Sequence, residues 1–459
     1  MTATSSIEVK DSPQTEGVEQ KPRPVAATQS SRWSSFKEVL SWRNYPVFLI
    51  TSWVSSGFIV LNSYMPLYLY TIGWDLLFIG TATGIVSLVG AVCRALGGYI
   101  GDTIDRKISA VVVMAPVALY FLIIGLSRET FLIMTAMLLY AGADIARSGS
   151  TAYILDTVKT ERSGFALALF TAGSILGVPV LLLLGVFTLT VGFTTAIQQM
   201  HLMGGFLLLL CAVARMRLDP SPRRRSQRVG SLLRTFLSEN ARAARLLMVS
   251  VPCLVGVVVC DAISDGLFRL GALIYASEVL GVGIMGINLT MLFYLVISFP
   301  LLLKIGHVSD TSGIRRAGLI VYAMMPVSAL LLLVAPVFPL WGPPQLGVLL
   351  ESVYPGLGVL MTTAFVAIVL KYTNDLLWWN VIISFVQKNL PSSDSAKGLT
   401  VFWVIVVFLA SVAPVAGGYI YTFLGPYWLF LVILVLNLGI ITSISRSGWG
   451  RAVVKSVTD

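Results

Sequence analysis

Gly98-Tyr-Ile-Gly-Asp-Thr-Ile-Asp-Arg-Lys107 separates two long apolar stretches in the first half of the chain. Gly306-His-Val-Ser-Asp-Thr-Ser-Gly-Ile-Arg-Arg316 does the same in the second half. Each segment places a glycine four residues before an aspartate and follows the aspartate with a basic pair. Because two such segments stand in corresponding places, the sequence indicates an internal repeat.

The chain on either side of these segments consists of long apolar stretches. A helix needs roughly 20 mainly apolar residues to cross the hydrocarbon core, because lipid offers no partner to unpaired backbone groups. Hydrophobic residues make up 56% of the chain and charged residues 12%, as expected of a protein that crosses a membrane many times. The predicted membrane-spanning helices, spans 1 to 12, cover residues 45–70, 76–99, 108–126, 130–154, 163–190, 194–215, 247–276, 284–304, 316–338, 361–387, 399–423 and 427–446.

The basic residues predict the orientation of these spans, since short loops rich in Lys and Arg stay on the cytoplasmic side. Such residues fill both terminal segments and the gaps after even-numbered spans, whereas the opposite gaps contain only Arg128. We therefore expect a multi-pass plasma-membrane protein with both termini in the cytoplasm. The formal charge of +10 then reflects topology, with membrane lipids as partners, and does not indicate nucleic-acid binding.

The longest basic gap divides the spans into two groups of six.

The polar N-terminal segment buries too little apolar surface to fold alone, and no cleaved signal peptide is indicated. A Pro- and Gly-rich stretch from Trp341 to Leu360 is an insertion in the second half, predicted to be an extracytoplasmic loop or a re-entrant segment. The predicted domains are a disordered tail over 1–43, six-helix bundles over 44–214 and 247–446, a basic linker over 215–246 and a tail over 447–459.

The two repeated segments resemble the cytoplasmic-loop signature of the major facilitator superfamily, Gly-x-x-x-Asp-Arg-x-Gly-Arg-Lys. Thr103 and Asp105 depart from it, since the family has a basic residue and a glycine there. The resemblance covers residues 44–446 and implies an all-α integral membrane protein with twelve transmembrane helices in two pseudo-symmetric six-helix bundles. The matching residues are Gly98, Asp102, Arg106 and Lys107 in the first copy and Gly306, Asp310 and Gly313 in the second.

The resemblance also implies a conformational latch at these segments. In it, Asp102 would meet a helix N-terminus of the other half and pair with Arg106, in one state of the protein only. Gly98, Gly306 and Asp310 complete the predicted latch. A carboxylate at a helix N-terminus contributes about 0.3–1 kcal/mol, so the latch would bias the conformational equilibrium without locking it.

A few ionisable residues fall well inside the predicted spans, where a charge must be paired or face a cavity. Except for Arg94, which we expect to snorkel toward the cytoplasmic interface, they lie in spans 4, 7 and 10. The resemblance assigns these spans, with span 1, to the lining of a central cavity. The set comprises Arg94, Asp144, Arg147, Asp261, Asp265, Arg269, Lys371 and Asp375.

The helical spacing of these residues assigns partners. Asp265 and Arg269 are four residues apart and share a helix face, as do Lys371 and Asp375. Without Arg94, four acids face three bases, so one carboxylate lacks a partner, and Asp261 is our first choice. A carboxylate without a basic partner in a low-dielectric site binds a proton more readily. The alternative is that all these charges are structural ion pairs.

We therefore predict a set of proton-coupling residues and a set of substrate-cavity residues. The side chains of the second set would contact a solute. For Trp378, the aromatic member of this set, packing against other helices is the alternative role. The proton-coupling candidates are Asp261, Asp265, Asp144 and Asp375. The substrate-cavity candidates are Arg147, Arg269, Lys371, Asn62 and Trp378.

These features predict a secondary active transporter that moves a small organic solute by alternating access, coupled to protons or another ion. Ala413-Pro-Val-Ala-Gly-Gly418 resembles an antiporter pattern of the superfamily, which favours export. Import of a sugar, amino acid or carboxylate by symport is the alternative, and a non-transporting sensor with the same fold is the second. No residue cluster suggests an enzyme, a metal site or a cofactor, and we expect a monomer.

Overall fold

The computed structural model describes residues 37–157, 169–170, 172–220, 241, 244–245, 252–389 and 395–446. This part of the chain is helical apart from turns, short connections and one isolated bridge between Leu340 and Thr362. The predicted all-α fold is confirmed.

The helices of the first half form spans 1 to 6, and several spans consist of two helices in series. Span 1 comprises Tyr45–Ile59 and Met65–Thr71, and span 2 is Leu76–Thr103. The others are Arg106–Val112 with Met114–Leu126, Thr130–Gly142 with Asp144–Thr157, Gly177–Val191, and Phe193–Arg215.

The helices of the second half form spans 7 to 12. Spans 7 and 8 are Pro252–Glu278 and Ile284–Thr311. The others are Ile314–Tyr322 with Met324–Val334, Thr363–Asn389, Ser395–Ala410 with Val412–Tyr419, and Pro426–Arg446.

The described helices agree with the predicted membrane spans. Ten segments are long and apolar enough to cross a bilayer, and they correspond to spans 1 to 6, 8, 9, 11 and 12. Spans 7 and 10 are also long helices, but charged and other polar residues lie inside them. Residues 163–168 of span 5 and 247–251 of span 7 lie outside the described residues, as do both ends of the chain and most of the predicted linker.

Prolines explain where three spans divide into two helices. A proline ring inside a helix collides with the carbonyl group four residues earlier and removes one hydrogen bond. In spans 3, 9 and 11 the first helix ends four residues before a proline. These helix ends are Val112, Tyr322 and Ala410, and the prolines are Pro116, Pro326 and Pro414.

The insertion between spans 9 and 10 contains a short helix, Pro344–Val353, and a turn of 3-10 helix, Leu357–Met361. The Glu351 carboxylate accepts hydrogen bonds of 2.8 and 2.9 Å from the backbone N–H groups of Gly356 and Gly358. No residue of the short helix is buried. The insertion is therefore a folded surface element held together by its own carboxylate.

The two halves of the chain pack together on the side of the loop between spans 1 and 2, Ile72–Asp75, called here the 1–2 loop side. Gly80 on span 2 lies so close to span 11 that a Cβ atom there would overlap the Pro414 carbonyl oxygen. A Cβ on Gly418 would lie 2.6 Å from the Leu76 carbonyl oxygen. Glycines permit such close helix approach in lipid, where packing drives association.

A buried polar contact joins the halves on the same side. The Tyr64 hydroxyl of span 1 donates a hydrogen bond of 2.9 Å to Asn288 Oδ1 of span 8. Asn288 Nδ2 in turn donates to the Leu181 carbonyl of span 5, also at 2.9 Å. Because all three groups are buried, spans 1, 5 and 8 are held closely together here.

Arg215, which the sequence places where span 6 meets the linker, ends the helix of span 6 and is 2% exposed. Its guanidinium donates to the side chains of Thr51 and Ser52 at 2.9 and 2.7 Å and to the Ala110 carbonyl at 2.8 Å. It also lies 4.3 Å from the centre of the Phe48 ring. Arg215 thus ties span 6 to spans 1 and 3.

Replacing Gly80 with valine should destabilise the protein by about 1–3 kcal/mol, because the added atoms overfill the contact between spans 2 and 11. Gly439→Val is the matched control, since an added Cβ at Gly439 has nothing within 4 Å. The melting temperature of the purified protein in detergent measures the effect. Equal melting temperatures for the two variants would contradict this account of the helix contact.

Candidate functional site

Four charged side chains from spans 7 and 10 form a closed ring, called here the charge ring. Arg269 binds Asp265 on its own helix at 2.7 Å and Asp375 on span 10 at 3.3 Å. The Lys371 ammonium also contacts both carboxylates. The predicted pairing of Asp265 with Arg269 is confirmed, and each acid is shared by two bases.

The charge ring is buried at one end and accessible at the other. Lys371 is fully buried, whereas 53% of the Arg269 side chain is exposed. A charge in the middle of a membrane-spanning helix that is accessible must face water between helices, because hydrocarbon does not solvate it. The ring therefore presents a guanidinium, with carboxylates on both sides, to a space inside the membrane domain.

Aromatic residues surround the charge ring. The Lys371 ammonium lies 5.3 Å from the centre of the Phe268 ring, a favourable cation–π position. Tyr372, next to Lys371, stacks on Tyr294 of span 8 with ring centres 5.2 Å apart. These rings give the site apolar surface beside its charges, as binding sites for small organic molecules have.

A second charged cluster lies in the first half. Asp144 of span 4 is buried and binds Arg147 at 2.9 Å and Arg94 of span 2 at 2.7 Å. The expectation that Arg94 snorkels to the interface is therefore wrong. Spans 2 and 4 approach so closely that a Cβ on Gly97 would lie 2.6 Å from the Ile145 carbonyl oxygen, which brings Arg94 beside Asp144.

Asp261 differs from the other acids of spans 4, 7 and 10. Among the described residues it takes part in no ion pair. Its Oδ1 atom lies 2.9 Å from the Tyr322 hydroxyl of span 9, which is also 2.6 Å from Asn437 Oδ1 of span 12. Tyr322 and Asn437 are not among the site residues predicted from the sequence. An asparagine in the apolar run Val-Ile-Leu-Val-Leu-Asn437 was the available signal.

Asn62 and Trp378, two of the predicted substrate-cavity residues, differ in burial. Asn62 is half-buried and its Oδ1 accepts a hydrogen bond of 2.9 Å from the Tyr120 hydroxyl of span 3. Trp378 is buried, with its ring edge-on to Tyr322 at 4.8 Å between centres. It does not line an accessible space in this conformation, because span 10 turns this face toward spans 7 and 9. Its neighbour Trp379 is exposed and stacks on Trp403.

The predicted latch lies largely outside the described side chains. Gly98 and Asp102 belong to the last turns of the helix of span 2, and Gly306 and Asp310 to those of span 8. Their side-chain positions lie outside the part of the structure that is described. Arg106 is the first residue of the next helix, which Asp105 caps by accepting a 2.9 Å hydrogen bond from the Lys107 backbone.

The residues that the structure describes include no cluster of His, Cys, Asp or Glu side chains that could hold a metal ion. The site is thus built from carboxylates that are paired with basic groups, together with Asp261. Such an arrangement can bind a solute by ion pairs and hydrogen bonds and can bind a proton.

Lys371→Met should lower stability by about 3–5 kcal/mol, because it leaves the carboxylates of Asp265 and Asp375 with one base fewer in a buried place. Adding Asp375→Asn should restore part of the loss, since one of the two charges is then gone. Melting temperatures in detergent measure both effects. A Lys371→Met variant as stable as wild type, or a double variant no more stable than the single one, would contradict this reading of the ring.

Comparisons with known proteins agree with this architecture. A family model described as Major Facilitator Superfamily matches residues 7–143 and 47–377. The solved structure of the nucleoside transporter NupG is similar, with a TM-score of 0.59 and 13% identity, over 87% of this chain and 97% of that chain. The D-xylose-proton symporter gives 0.57 and 16%, over 89% and 97%. Among curated proteins no sequence matches.

At these identities the similarity to solved structures concerns the fold alone. The family match extends over more than half of the chain, and its residues include both clusters of membrane-embedded charges. The described helices, ten of which are candidate membrane spans, agree with it. The chain therefore belongs to the major facilitator superfamily.

Proposed function

We propose that this protein is a secondary active transporter that carries a small organic solute across the plasma membrane and couples its movement to protons. The observation that carries the proposal is the charge ring of spans 7 and 10. It keeps an accessible guanidinium in the middle of the membrane domain, although an embedded charge costs at least about 2.5–3.5 kcal/mol on insertion scales. An ion pair with only a structural role would not need a guanidinium that is exposed to water.

Alternating access needs a conformation in which one side of the protein is closed. The contacts of Gly80 with span 11 and of Tyr64 with Asn288 support closure on the 1–2 loop side. With the orientation predicted from Lys and Arg, that side is extracytoplasmic. The described conformation then corresponds to an inward-facing state, and the charge ring would receive solute from the cytoplasmic side.

The residues of the site favour a solute with polar or charged groups and some apolar surface. Arg269 and Arg147 are partly exposed and would bind a carboxylate or hydroxyl group. Asp265 and Asp375, which are also partly accessible, would bind an amine or hydroxyl group. Tyr294, which is partly exposed and stacks on the buried Tyr372, would pack against the carbon skeleton. An amino acid, a carboxylate or a sugar fits this description.

Asp261 is the proposed site of proton binding. It lies one helical turn from Asp265 and so could transmit its charge state to the charge ring. Because no base pairs with it among the described residues, a proton can neutralise it without breaking an ion pair. Asp265, Asp375 and Asp144, the other candidates, each bind basic groups.

Export by proton antiport is the direction that the motif of span 11 favours. In the structure, however, Pro414 and Gly418 of this motif contact span 2, a packing role that does not depend on direction. The second candidate is import by proton symport. A solved structure of similar fold is that of a D-xylose-proton symporter. The direction of proton movement separates the two.

In sealed proteoliposomes that contain the purified protein and an internal pH-sensitive dye, addition of the transported solute should start proton movement. Asp261→Asn should reduce that movement to the level of protein-free vesicles, because asparagine cannot exchange a proton. Asp75→Asn is the control. Asp75 is an exposed loop residue that caps span 2 through the Phe78 backbone, and asparagine caps equally well.

The panel of solutes added outside should include amino acids, carboxylates and sugars. With the solute outside, protons that enter with it indicate symport, and protons that leave indicate antiport. Solute movement without protons would contradict the coupling. Absence of transport for every solute would favour the non-transporting sensor.

A further inference from the structure

A buried chain of polar groups connects Asp261 to span 12. The Tyr322 hydroxyl lies 2.9 Å from Asp261 Oδ1 and 2.6 Å from Asn437 Oδ1. Asn437 Nδ2 donates hydrogen bonds of 2.8 Å to Ser264 Oγ and to the Ile433 carbonyl oxygen. Tyr322, Asn437 and Ser264 are fully buried, so each of their polar atoms depends on these partners.

The amide of Asn437 has one orientation in this chain. The Ile433 carbonyl oxygen can only accept a hydrogen bond, so the amide nitrogen must face it. Both amide protons are then used, toward Ile433 and toward Ser264. Asn437 Oδ1 therefore faces Tyr322 and can only accept.

The Tyr322 hydroxyl has a single proton and two acceptors beside it. If Asp261 is ionised, Tyr322 can donate to only one of them, and the other contact becomes a repulsion between two oxygen atoms at 2.6 or 2.9 Å. If Asp261 carries a proton, it donates to the Tyr322 oxygen, and Tyr322 donates to Asn437. Every donor from Asp261 to Asn437 then has an acceptor, which is the arrangement that buried networks favour.

The charged groups near Asp261 do not remove the need for a proton between Asp261 and the Tyr322 hydroxyl. The charged groups that act electrostatically on Asp261 are Asp265 on the same helix and Lys371 and Asp375 on span 10. Lys371 contacts both of these other acids. Spans 9 and 12 face Asp261 with Tyr322 and the uncharged Asn437, so the polar chain is its hydrogen-bonding environment.

We propose that Tyr322 and Asn437 are positioning residues that hold a proton on Asp261 in this conformation through the chain Asp261 to Tyr322 to Asn437. Loss of the proton leaves the hydroxyl with two acceptors, so one contact must open. Proton release is thereby coupled to a change in the packing of span 7 against spans 9 and 12. Since span 7 also carries Asp265 and Arg269, the change reaches the charge ring. The inference rests on the proposed role of Asp261 in proton coupling.

Infrared spectroscopy of the purified protein in lipid tests this directly, because a protonated carboxyl group has a carbonyl-stretching band separate from that of a carboxylate. The wild-type protein should show such a band at neutral pH, and Asp261→Asn should remove it. In Asn437→Leu, Tyr322 is free to donate to an ionised Asp261. The pH at which half of the band is lost should therefore be lower by about one unit, a tenfold lower proton affinity.

Tyr322→Phe provides an independent variant in case Asn437→Leu does not fold. In this variant the carbonyl-stretching band of protonated Asp261 should move to higher frequency, because the carboxyl group no longer has the Tyr322 oxygen as its hydrogen-bond acceptor. Tyr275→Phe is the matched control, because Tyr275 is also buried in this half and donates to the Leu332 carbonyl at 3.2 Å. It should leave the band unchanged.

An unchanged spectrum in Asp261→Asn would overturn the proposal, as would a band that neither Tyr322→Phe nor Asn437→Leu alters. The infrared measurement does not depend on transport activity. If the band behaves as expected while proteoliposomes show no solute-dependent proton movement, the proposed function fails and the assignment of the proton stands.

Discussion

A charged side chain in a membrane-spanning helix requires an opposite charge or water beside it, because hydrocarbon solvates neither sign of charge. That constraint organises the centre of this protein. Lys371, fully buried, lies between Asp265 and Asp375, and Arg269 closes the ring from the accessible side. Removing one member would leave an uncompensated charge, so spans 7 and 10 are held in one register by electrostatics. Asp144 does the same for spans 2 and 4.

Close helix contacts place these charged groups. Gly97 brings span 2 against span 4, and Gly80 and Gly418 bring spans 2 and 11 together between the halves. The contacts within each half differ in kind from the contacts between the halves. Ion pairs fix neighbouring helices within a half, whereas contacts between the halves involve glycines and neutral hydrogen bonds, which exchange at lower cost when the halves move. A transporter that alternates between conformations needs this division.

Much of the fold could be predicted from the sequence, because hydropathy and the collision of proline with the preceding turn are local properties. The partners of Lys371 and Arg269 within their own helices followed from a spacing of four residues. Contacts between helices did not follow. The approach of Arg94 to Asp144 depends on how spans 2 and 4 pack, and the rotation of span 10 decides that Trp378 is buried while Trp379 is exposed. Tyr322 and Asn437 are far from Asp261 in sequence, so their role emerges only from the tertiary structure.

The proposed mechanism requires the halves to separate and close on the 1–2 loop side around a charged site in the membrane. Spin labels at Asp75→Cys and Phe423→Cys, in a variant lacking Cys93, Cys211, Cys253 and Cys260, report this separation by double electron–electron resonance. Both positions are exposed and flank the contact of Leu76 with Gly418. Alternating access should give a population with a short distance between the labels and a population with a longer one, in proportions that change with pH and added solute. One narrow distribution, unchanged under all these conditions, would contradict it.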